Sequence, residues 1–165
     1  MWHSGSMAVT PAVLFAEIVL SADRLIQAAS ISQPAPDQWP PHVVLGHIAL
    51  NDERNWLVRI ESMTSAHRQS QPEPFFDWFE PEAAEVEERF KDLTIDEAGA
   101  ELLSTRTQIV LALRELSEND WQATAQHSIF GTLTVTDLVL RMLAHDEEHR
   151  AGLLLGGEIT GTLET

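Results

Sequence analysis

The chain has 165 residues, 44% hydrophobic and 22% charged, which suits one domain with a closed core. Ten Lys and Arg against 26 Asp and Glu leave a formal charge of −16, which repels nucleic-acid phosphates and anionic lipid, so neither partner is expected. Cysteine is absent, which excludes disulfides, thiolate metal sites and a thiol nucleophile on the protein itself.

Residues 1–6, ahead of a second methionine at Met7, read as a leader outside a domain expected over residues 7–157, with a short tail at 158–165. No basic segment opens the chain, and Glu17 interrupts the apolar run of residues 12–20, so a signal peptide or membrane span is not expected and the cytoplasm is. Thr10-Pro11 supplies an N-cap and a first helical proline. Leu14, Ile18, Ala22, Leu25 and Ala29 then recur at spacings of four and three, with Phe15 and Ile26 alongside, predicting an amphipathic first helix. Pro34, Pro36, Pro40 and Pro41 end it.

A second helix is predicted from Pro41 or His42 to about His67, with Val43, Val44, Leu50, Leu57 and Val58 as its apolar positions. Pro72, Pro74 and Pro81 enclose Phe75, Phe76, Trp78 and Phe79, an aromatic loop that covers either the core or a substrate. A short acidic helix is expected over residues 82–90. Thr94 and Glu97 form a capping box for a third long helix carrying Ala98, Leu102, Thr105, Ile109, Ala112 and Leu116. Residues 117–131 read as a polar connection, and Thr134 with Asp137 opens a last helix from Val135 to about Leu155, stopped by Gly156-Gly157. No segment alternates well enough to predict a strand. The expected fold is an all-α four-helix bundle with a long crossover between helices two and three.

The sharpest chemical signal is His145-Asp146-Glu147-Glu148-His149, whose spacing of four stacks two imidazoles on one helical face. A borderline divalent ion, zinc or nickel, accepts such a pair and needs a third protein ligand. His47, set among Val43, Val44 and Leu50 on the inward face of the second helix, is the best candidate. A histidine pair at this spacing also occurs on helix surfaces without metal, and an inward histidine is commonly a hydrogen-bonded core residue. A zincin would need glutamate where Asp146 stands, and a di-iron bundle would need glutamates where Val44 and Met142 stand. Asn51 and Arg54 follow His47 on nearly the same face, predicting a polar pocket in which Arg54 pairs a substrate carboxylate; the competing reading is a bridge from Arg54 to Glu17, Asp23 or Glu148. Asp146 and Glu148 are candidate acceptors for the N–H groups that ligating imidazoles turn away from a metal.

Trp39 and His47 in WPPHVVLGHIALNDE, together with GTLTVTDLVLRMLAHDEEHRAGL at residues 131–153, resemble the DinB-like superfamily, which includes YfiT-type proteins and the mycothiol-dependent maleylpyruvate isomerases. The resemblance spans residues 11–155. It implies a four-helix bundle, commonly dimeric, holding one divalent metal on His47, His145 and His149. It also implies either a thiol S-transferase that uses a low-molecular-weight thiol cosubstrate on a small-molecule substrate, or a metal-dependent hydrolase. The competing expectation is a non-catalytic, metal-stabilised bundle acting as a stress-related binding or scaffold protein. Apolar coverage of the last helix from Leu138 through Val139 and Leu143 to Leu154 adds to the expectation of a homodimer.

Overall fold

Thr10 caps the first helix by accepting a hydrogen bond from the Val13 backbone N–H, and α1 runs Pro11–Ile31. The computed structural model describes residues 9–155; the expected leader, the tail and the Gly156-Gly157 stop lie outside the described residues. The second predicted helix is one continuous rod in three parts: α2 (Pro41–Asn51), a π-helical turn (Asp52–Trp56) and α3 (Leu57–Arg68). The acidic segment forms α4 (Ala83–Phe90), the Thr94–Glu97 capping box opens α5 (Ile95–Arg114), and α6 spans Val135–Leu155. Thr134 and Asp137 bond reciprocally at the start of α6, as the sequence predicts.

These four long rods form the bundle, and α4 lies within the long crossover from α3 to α5. Among the described residues, no helix is long and apolar enough to cross a membrane.

The expectation of no strands is corrected. Three short strands, β1 (Phe75–Phe76), β2 (Thr124–His127) and β3 (Gly131–Thr134), make a small sheet in the order β1-β2-β3. The pair β1·β2 is parallel, with Phe76 opposite His127, and β2·β3 is an antiparallel hairpin closed by Gly131 at φ 69°. Strands of two to four residues are too short to show a period of two, and the parallel pairing joins segments far apart in sequence.

The apolar core falls into layers. Leu14, Ile18, Ile60, Ile109, Leu138 and Met142 lie in one cluster, and Ala22, Leu25, Val44, Ile48, Leu102 and Leu153 in another. Between them each rod contributes a polar group. Arg106 of α5 donates Nε–H to Asp52 Oδ2 at 2.7 Å and both terminal nitrogens to the two Asp146 oxygens at 2.6 and 2.7 Å. Thr105 also donates to Asp52, and Ser21 of α1 donates to Asp146. Arg106, Asp52 and Asp146 are each no more than 1% exposed.

Replacing Arg106 with methionine strands two carboxylates in the interior, so R106M is expected to lose about 3–5 kcal/mol of stability. Urea denaturation checks this, and a loss below about 1 kcal/mol would show that the network does not hold the bundle together.

Candidate metal centre

His47 projects from the middle of α2, and His145 and His149 project from one face of α6. The ring centroids lie 4.9 Å apart for His47 and His149, 5.8 Å for His47 and His145, and 4.4 Å for His145 and His149. One nitrogen from each ring lies within 4.8 Å of the others, and Nε2 of His145 and His149 approach to 3.1 Å. Metal–nitrogen bonds of about 2.0–2.1 Å in a tetrahedral site separate ligand nitrogens by roughly 3.3–3.4 Å, so the trio needs little adjustment to hold one ion.

Polar satisfaction points the same way. His47 is 1% exposed, yet neither of its ring nitrogens has a hydrogen-bond partner, and Nδ1 of His145 is also buried without one. Such orphaned atoms are costly unless something absent from the polypeptide engages them. Burial, reinforced by the charge of His149, pushes His47 down to about 3. His145 is also held well below the usual imidazole range by burial, then by His149, His47 and Arg106. Both rings are therefore neutral near pH 7, the form that offers a lone pair to a metal. These residues fit a divalent ion.

A cleft opens beside this cluster and reaches His145. Asn51 lines it, and its Oδ1 accepts a hydrogen bond from Asn55 at 2.9 Å. Glu148 also lines it from an exposed position. Asp146 does not accept from an imidazole, because Arg106 and Ser21 occupy its oxygens. Arg54 does not line the cleft. It is half-exposed and pairs with Glu85 of α4 at 2.7 Å, so neither of the two roles predicted for it describes its contacts.

The π turn explains the displacement. At roughly 100° per residue, the row His47, Asn51, Asn55, Arg59 would drift about 120° around an α-helix. A π turn absorbs one residue, about 100°, and returns Arg59 to within roughly 20° of His47 while rotating Arg54 away. Asn55 and Arg59, which sequence reasoning missed, accordingly line the cleft. Their place in a row that steps by four residues from His47 through Asn51 was the available signal. Glu80, His127 and Arg141 were also missed; they come from the crossover, the sheet and an outer position of α6, and Glu80 places Oε1 3.4 Å from His47 Nε2.

The sequence pattern of the DinB superfamily matches residues 22–152, and the chain belongs to that superfamily. Among solved structures it is similar to a crystal structure of a histidine-to-alanine variant of mycothiol-dependent maleylpyruvate isomerase, at a TM-score of 0.60 and 13% identity. The match covers 88% of this chain and 61% of that one, so the chain spans less than two thirds of that protein's length. At this identity the likeness establishes the shared fold. No curated protein sequence matches the chain.

The buried imidazoles set a pH dependence. Unfolded, His47 and His145 titrate near 6.5; folded, they do so much lower, so the unfolded chain holds more protons and stability rises with pH from about 3 to 6.5. Asp52, raised from 3.8 to about 6 by burial, opposes this over that narrower interval because its folded form holds the extra proton. With two histidines against one carboxylate, the melting temperature of chelator-treated protein should fall as pH drops from about 7 to 5. His47→Gln should flatten that slope, and an unchanged slope would contradict the assignment.

Proposed function

We propose that the protein is a metal-dependent enzyme in which His47, His145 and His149 hold one divalent ion, zinc or nickel, beside a cleft for a small-molecule substrate. The observation that carries this reading is the buried His47 ring, with both nitrogens lacking hydrogen bonds, facing two further imidazoles. When bound, the ion supplies Lewis-acid chemistry that makes a low-molecular-weight thiol, or water, nucleophilic at neutral pH. His47, His145 and His149 provide the donor set, with the His47 and His145 rings neutral. Glu80, half-exposed and adjacent to His47, is positioned to hold or return a proton at the cleft. Trp56 and Phe79 supply apolar wall that excludes water.

Thiol transfer is favoured over hydrolysis because the structurally similar isomerase is mycothiol-dependent by name. A cleft reaching His145 favours an enzyme over a purely structural, closed metal site.

Elemental analysis of protein purified without a nickel column or chelator tests this reading. Near-stoichiometric zinc or nickel is expected in the parent and none in His149→Ala, and a thiol should shift the visible spectrum of the cobalt-substituted protein. Metal-free preparations of both, with melting temperatures unmoved by added zinc or nickel, would overturn the reading. A closed metal whose spectrum ignores thiols would favour the scaffold alternative.

The same reading retains a cytoplasmic homodimer, supported by the half-exposed Leu140 and Leu154 on α6. Light scattering should give about twice the 18.4 kDa chain mass, and a monomer at micromolar concentration would remove the dimer from the reading.

A further inference from the structure

Seven of the ten Lys and Arg residues have a carboxylate within 4.0 Å. Among the described residues, Arg59, Arg114 and Arg141 have no such partner, and two of these three line the cleft beside the histidines. Arg59 is only 8% exposed. Its guanidinium donates to the Asp77 carbonyl oxygen and lies 5.0 Å from the Phe76 ring centroid, which leaves most of its five N–H groups without a protein acceptor. Burial lowers the pKa of this cation, and the Asp77 carboxylate, beyond ion-pair distance, offsets that only in part.

Two further donors share the cleft. Trp56 Nε1–H is buried with no hydrogen-bond partner. His127, 4% exposed, accepts the backbone N–H groups of Ile129 and Phe130 at Nδ1, so in the neutral ring the proton sits on Nε2, which becomes a donor. Arg141 lies 4.0 Å over the Phe130 ring. The carboxylates on the same wall, Glu80 and Glu148, are half-exposed and exposed, whereas Arg59 and His127 are buried.

We propose that this cleft is an anion subsite, in which Arg59 takes the carboxylate of a small molecule through its planar fork, and Arg141 and the His127 Nε2–H complete the donor set. The aromatic walls from Trp56, Trp78, Phe79 and Phe130 fit a planar apolar body attached to that carboxylate. The proposal rests on reading the cleft as the substrate site, but carboxylate binding itself does not require the metal.

Titration of metal-free protein with benzoate and succinate, against the neutral amides benzamide and succinamide, tests it by calorimetry and by the fluorescence of Trp56 and Trp78. The carboxylates should bind and the amides should not, with affinity falling as salt rises. Arg59→Gln should weaken carboxylate binding at least about tenfold, and Arg59→Lys should recover only part of it. Arg141→Gln, at an exposed position, should weaken binding several-fold and decides the matter if the Arg59 variants do not fold. Equal binding by parent and Arg141→Gln together with Arg59→Gln, or no carboxylate binding by the parent, overturns the subsite. His149→Ala should keep carboxylate affinity; its metal content reports separately on the three-histidine reading.

Discussion

The guanidinium of Arg106 joins the two central carboxylates of the bundle, and the rest of the molecule is registered on that contact. Asp52 belongs to the second rod, Asp146 to α6, and Ser21 brings α1 to the same level. Buried charge is a weak source of net stability, since desolvation offsets most of the attraction, but it penalises every alternative register that would leave a charge unpaired. Apolar layers on either side can slide with little change in buried area; a bidentate ion pair cannot.

That registration reaches the histidines directly. Asp146 follows His145 by one residue and precedes His149 by three, so holding Asp146 against Arg106 sets the rotation of α6 and turns both imidazoles to one side. Asp52, five residues beyond His47, does the same for the second rod. Three imidazoles then face one another, an arrangement in which the polypeptide leaves both ring nitrogens of His47 and Nδ1 of His145 unsatisfied. Burial, reinforced by the neighbouring Asp146 charge and opposed by Arg106, raises Asp52 to about 6, above the usual carboxylate range.

The π turn that begins at Asp52 decides what else the site contains. By absorbing one residue it keeps His47, Asn51, Asn55 and Arg59 in one line and sends Arg54 to the surface against Glu85. The outcome is a cleft whose buried lining holds the Arg59 guanidinium and the Trp56 and His127 N–H groups beside the acceptor Asn55 Oδ1, in a strongly acidic protein.

Much of this was legible in the residues themselves. Thr10-Pro11, the Thr94–Glu97 and Thr134–Asp137 caps and the proline clusters marked the rods, because caps and helix breakers act within a few residues and require no knowledge of the fold. His145 and His149 were paired by helical periodicity alone, and His47 was selected by its inward phase. Tertiary structure decided the rest. A three-stranded sheet with one long-range parallel pairing, a π turn that shifts phase by one residue, and the capture of Asp146 by Arg106 all depend on groups distant in sequence. Sequence by itself therefore determined where the helices run and which imidazoles share a face, since both follow from local backbone geometry. Only the folded chain decided that Arg59 and not Arg54 lines the cleft, because that choice rests on where the π turn under-winds the second rod.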